Sequence, residues 1–133
     1  MAPLVATCPI ASTWAVANAE CQARGLRLCD PDELAGLACE PGVEARLVEE
    51  NGPDGPWQVS HGPFDDATFE RLSEGHWSLL VQAVDHYVPS IAALMDEFDF
   101  LPRWRLDDIM VSYAPPGGSV GPHIDQYDVF LLI

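Results

Sequence analysis

Lysine is missing from the sequence, and arginine supplies all six of its basic residues against 21 acidic ones, a formal charge of −15 over 133 residues. Repulsion on that scale argues against nucleic acid or an anionic membrane as a direct partner, and favours a cationic partner or plain solvation. No run approaches the ~18 apolar residues that a membrane-spanning helix needs. The cysteines, Cys8, Cys21, Cys29 and Cys39, form no CxxC pair and fit no common zinc spacing. Ala17-Asn18-Ala19 has the form of a leader cleavage site, but no basic residue precedes it and Pro9, Ser12 and Thr13 break the apolar stretch, so a secretory leader is not expected. Repeats, low-complexity tracts and linkers are missing as well. These absences predict one soluble domain in the reducing cytoplasm.

What is present is enough for a single modest core: 48% of the residues are hydrophobic and four are Trp. Residues 1–29 are rich in Ala and Cys without a period and remain unassigned. Order begins at Asp30-Pro31-Asp32-Glu33, which has the form of a helix N-cap, a proline at the first helical position and a capping-box glutamate. This helix should carry Leu34, Leu37 and Ala38 inward and stop before Pro41-Gly42. ARLVEE and PWQVSHG flank NGPDG as two strands around a turn, and Asp65-Asp66 should open a short helix through Phe69 and Leu72. HWSLLVQAVDHYV fits a buried strand or a helix start equally. PSIAALMDEFDFL places Ile91, Leu94, Met95 and Phe98 on one helical face. WRLDDIMVSYA alternates as a strand, Pro115-Pro116-Gly117-Gly118 turns it, and HIDQYDVFLLI should follow as a second strand.

In that second strand His123 and Asp125, two residues apart, would project from one face. An imidazole and a carboxylate side by side are two of the three ligands of a 2-His-1-carboxylate facial triad, which holds Fe(II) and leaves positions open for co-substrate and dioxygen. Gly117, Gly118 and Gly121 allow a sharp turn ahead of the pair, and Pro122 fixes its entry. A structural alternative uses the same residues: His123 hydrogen-bonds Asp125 or a turn carbonyl at a strand edge. Ser-His-Asp hydrolysis through Ser112 or Ser119 lacks the GxSxG elbow.

From about Asp30 onward the sequence resembles the N-terminal part of the bacterial JmjC-type ribosomal oxygenases. Among these it is most similar to the arginine hydroxylases of a large-subunit ribosomal protein. The likeness is carried by PDELAGLA at Pro31–Ala38, RLV at Arg46–Val48, GPWQVSHGPF at Gly55–Phe64 and HWSLLVQAVDH at His76–His86. It continues in AALM at Ala92–Met95 and in WRLDDIMVSYAPPGGSVGPHIDQYDVFLL at Trp104–Leu132. The resemblance implies an α+β fold, a double-stranded β-helix of cupin/JmjC type with N-terminal helices, here incomplete and cut within the barrel. It implies Fe(II) as cofactor, 2-oxoglutarate as co-substrate and hydroxylation of a basic ribosomal protein. His123 and Asp125 would be the first two iron ligands, and Ser112 would lie near the co-substrate. Asp107, Asp108, Gln126, Tyr127 and Asp128 would form an acidic substrate rim suited to a guanidinium, or else an ordinary solvated face.

The family's third iron ligand, a later His, and its basic anchor for 2-oxoglutarate have no counterpart in these 133 residues. His61, His76 and His86 precede the pair and are expected at the surface or in packing. Phe130–Ile133 would lack sheet partners, an exposed apolar edge, and residues 1–29 do not match the family. The reading is therefore part of a protein hydroxylase, expected to turn over little or nothing by itself. The alternatives are a non-catalytic acidic interaction module or degenerate remnant, and a cupin-like metal site completed by dimerisation.

Overall fold

The computed structural model describes residues 2–6, 31–52, 54–72 and 75–132. The helix cap at Asp30, the leader reading and Cys8, Cys21 and Cys29 lie outside these residues.

One six-stranded sheet organises the protein. Its strands are β1 (Ala2–Ala6), β2 (Ala45–Glu50), β3 (Trp57–His61), β4 (Trp77–Val81), β5 (Leu106–Tyr113) and β6 (Phe130–Leu132). Their spatial order is β3-β2-β4-β5-β1-β6. The expected hairpin forms with Glu50 opposite Trp57 and Arg46 opposite His61. It closes through Gly55 N–H donating to the Gly52 carbonyl and the Asn51 side-chain amide donating to that of Pro56. β4 pairs antiparallel with β2 and with β5, which brings Trp77, Glu49 and Tyr113 toward one end of the sheet. The rings of Trp77 and Tyr113 lie 5.6 Å apart there.

α1 (Pro31–Cys39), α2 (Asp66–Glu70) and α3 (Pro89–Ala92) are the α-helices among the described residues. Leu34 and Ala38 recur one turn apart and are buried against Leu79, Val81, Ile109 and Val111 of the sheet. The anticipated apolar face of residues 89–98 is buried at Ile91, Met95 and Phe98, although the segment passes from α-helix to 3-10 turns at Ala93. Asp65 caps α2 by accepting from the Thr68 amide and hydroxyl at 2.9 and 2.6 Å. A bidentate pair from Arg71 to Glu49, at 2.8 and 3.0 Å, ties the end of α2 to β2. The ambiguous segment from His76 resolves into a strand and then a 3-10 turn over Val84–His86.

Three expectations need correction. The second strand does not run from His123: residues 123–129 lie outside regular structure and only Phe130–Leu132 pairs. Two positive-φ glycines, Gly117 and Gly121, bend the preceding backbone, and the residues that follow are exposed, so no neighbouring strand holds them in a ladder. The apolar end is not without a partner, because β6 pairs in parallel with β1, Phe130 opposite Leu4. β1 itself, drawn from the segment without a period, inserts between β5 and β6 and runs parallel to both.

Candidate metal centre

The turn after β5 is set by backbone packing. Gly118 N–H donates to the Pro115 carbonyl at 2.8 Å, and a β-carbon on Gly118 would fall 2.2 Å from the Trp77 carbonyl oxygen. Only glycine permits the turn to seat against the start of β4 at this point. Three residues on, Gly121 adopts φ +73°, and its N–H donates to Ser119 Oγ at 3.0 Å. Ser119 is thereby engaged in holding the turn.

The Gly121 carbonyl then meets the imidazole of His123, with Nδ1 2.9 Å from the oxygen. A carbonyl only accepts, so Nδ1 carries the proton and Nε2 of the neutral ring presents a lone pair. That Nε2 stands 3.7 Å from Asp125 Oδ2, too far for a hydrogen bond. Both side chains are about half exposed, and Ile124 between them is 94% exposed. The hydrogen bond to a turn carbonyl, considered above as a structural alternative to metal ligation, thus exists. It is also what a metal-binding histidine uses to fix its tautomer and ring orientation. A nitrogen and a carboxylate oxygen converging on open space suit a divalent iron ion in donor type.

Among the described residues no group of three His, Cys, Asp or Glu converges to hold a metal. His61, His76 and His86 are exposed. His76 Nδ1 lies 3.8 Å from Glu50, and His86 Nε2 3.7 Å from Asp85.

The rim residues divide. Asp107, Gln126, Tyr127 and Asp128 are exposed. Asp108 is not part of a solvent-facing rim: it is buried, accepts from the Ala83 amide at 2.7 Å and lies 3.5 Å from the Gln82 side-chain amide. Burial pushes its carboxyl above the ordinary range, against the lowering effect of the Ala83 bond. Ser112 is half-buried on β5 opposite Leu80. The register places Ser78 on the same sheet face, two residues along β4 from Leu80. Its hydroxyl is buried with no hydrogen-bond partner among the described residues.

Sequence reasoning missed Trp57. A β-carbon on Gly121 would lie 3.4 Å from Cε2 and Cζ2 of the Trp57 indole, so the ring rests against the glycine whose carbonyl holds His123. In the sequence Trp57 showed only as an aromatic opening the strand expected at PWQVSHG.

Known proteins are similar to this chain in sequence and fold. The JmjC domain model matches residues 93–133. The ribosomal protein uL16 3-hydroxylase of Escherichia coli (strain K12) is 59% identical over 102 residues, which are 77% of this chain and 26% of that protein. A probable ribosomal oxygenase of Haemophilus influenzae is 46% identical over 103 residues, 77% of this chain and 25% of its own length. Solved structures of YcfD, a ribosomal oxygenase from Escherichia coli, superpose with a TM-score of 0.69 and 57% identity, over 74% of this chain and 26% of theirs. One of them is a complex with cobalt and 2-oxoglutarate, another with cobalt and succinic acid. The fold is of JmjC/cupin type, as the sequence led us to expect, and the protein described here spans about a quarter of the length of these relatives.

Proposed function

We propose that this protein, the N-terminal part of a JmjC-type ribosomal oxygenase, supplies two metal ligands to a hydroxylase that acts on a basic ribosomal protein in the cytoplasm. The observation that carries the reading is the Gly121–His123 hydrogen bond, which leaves Nε2 free beside Asp125. Support for iron and 2-oxoglutarate comes from the donor set and from the cobalt and 2-oxoglutarate bound by YcfD.

In this reading His123 Nε2 and the Asp125 carboxylate hold Fe(II), and the Gly121 carbonyl keeps the imidazole proton on the opposite nitrogen. Iron held there would supply the chemistry of dioxygen activation: oxidative decarboxylation of 2-oxoglutarate to succinate and carbon dioxide would take one oxygen atom of O2, and the other would enter a carbon–hydrogen bond of the substrate residue. Ser112 offers a hydroxyl near the co-substrate. Asp107, Gln126, Tyr127 and Asp128 receive the substrate, whose arginine guanidinium forks onto a carboxylate with two parallel hydrogen bonds. Two protein donors are fewer than a facial triad provides, so these residues alone hold the ion weakly. The domain assignment accompanying this reading makes residues 30–133 the JmjC/cupin-like part and leaves residues 1–29, which do not match the family, unassigned apart from the β1 they add to its sheet.

A chimera tests the function. Residues 31–132 replace the corresponding stretch of the Escherichia coli uL16 3-hydroxylase, and hydroxylated uL16 and succinate are measured. The expected chimera is active and loses activity with His123→Ala. A folded chimera without hydroxylation would overturn the assignment.

A further inference from the structure

Trp57 stands 64 residues before Gly121 in the sequence, yet its indole is the group that a β-carbon there would touch, at 3.4–3.5 Å. The position of Trp57 is fixed independently of the metal pair. It is the first residue of β3, paired with Glu50 across the hairpin, and the loop before it is closed by the Asn51–Pro56 and Gly55–Gly52 bonds. Gly121 approaches this ring at φ +73° and passes its carbonyl to His123 Nδ1. The segment carrying His123 and Asp125 has no strand ladder of its own. Between the Gly118 turn and β6 its described supports include the Ser119 bond, the His123 bond and the flat face of Trp57.

We propose that Trp57 is a positioning residue for the metal pair: its indole bears on Gly121, aims the Gly121 carbonyl at His123 Nδ1, and so selects the tautomer with Nε2 free. This rests on the reading of His123 and Asp125 as metal ligands. The relation is that of an outer residue to a ligating histidine, where loss of the outer partner weakens metal binding by about 10- to 100-fold. It also accounts for a half-exposed aromatic at the start of an edge strand, packed against a glycine whose positive φ turns the backbone toward His123.

The test uses the 133-residue protein and Co(II). Calorimetry measures the metal dissociation constant, and the imidazole nitrogen NMR shifts of His123, read without metal at a pH where the ring is neutral, give the tautomer. Trp57→Ala should weaken Co(II) binding by at least about tenfold and shift His123 toward the Nε2–H form that imidazole prefers in water. Trp57→Phe, which keeps a flat ring, should keep the Nδ1–H form and bind within a few fold of the parent. If Trp57→Ala loses its far-UV circular dichroism, Trp57→Leu replaces it, filling space without a flat face. Unchanged affinity and tautomer in a folded Ala or Leu variant would overturn the inference. His123→Ala keeps the two claims apart: Co(II) binding that survives this change refutes the ligand reading, and the tautomer alone then decides the role of Trp57.

Discussion

Asp108 Oδ2 accepts a 2.7 Å hydrogen bond from the backbone N–H of Ala83, a residue held at φ 53° and ψ 38°. Left-handed backbone costs a non-glycine residue about 1–2 kcal/mol. The carboxylate offsets that strain, while Asp85 Oδ1 accepts from the Ile109 amide at 2.8 Å and clasps the same turn from the other side. Asp108→Ala leaves a buried donor without its partner and should cost about 1–3 kcal/mol. Ala83→Gly removes the strain and should stabilise by about 1 kcal/mol. Denaturant melts of the two variants check both signs.

Asp108 also sets a pH dependence. Burial raises its pKa in the folded state, so the folded protein holds this proton at pH values where the unfolded one has released it. Stability from this group is therefore greatest below the ordinary carboxylate pKa and declines as pH rises through the elevated folded value. Asp108→Asn, which cannot ionise, should flatten that decline in Tm measured across mildly acidic pH.

Asp65 works in the opposite direction. The hydroxyl and amide of Thr68 lower its pKa, so its contribution is present above the ordinary carboxylate value and is lost as pH falls through the lowered one. Thr68→Val removes the first of these donors and should raise the Asp65 pKa, followed through its carboxyl carbon NMR shift during acid titration. An unchanged titration would contradict the capping account.

Two glycines should respond oppositely to the same substitution. Gly36 lies inside α1 with nothing within 4 Å of an added β-carbon, so Gly36→Ala should stabilise by about 0.5–1 kcal/mol. At Gly118 the added atom meets the Trp77 carbonyl at 2.2 Å, and neither backbone moves cheaply. Gly118→Ala should lower Tm and disturb the His123 resonances, because the turn that leads into His123 and Asp125 is displaced.

Much of the sheet could be read from the sequence. Alternation marked Leu106–Tyr113, NGPDG between ARLVEE and PWQVSHG marked the hairpin that joins β2 to β3, and the spacing of Leu34 and Ala38 marked the face of α1. The cap at Asp65 followed from residue type alone. His123 and Asp125 were expected on the wrong local structure: the i, i+2 spacing suggested a strand, whereas Gly121 at positive φ bends the backbone and its carbonyl meets the His123 ring. Asp108 looked like a rim acid because its partner, Ala83, is 25 residues away and a left-handed alanine leaves no local pattern. β1 was illegible for a related reason, since a strand of five residues owes its place to β5 and β6.

The central claim is that His123 and Asp125 form a metal-binding pair. Anaerobic titration of the protein with Fe(II) in the presence of 2-oxoglutarate tests it most directly, alongside His123→Ala and Asp125→Ala. The account predicts weak binding to the parent that disappears in both variants while their folds survive. Binding that persists in either variant, or a folded parent that takes up no iron, would contradict it.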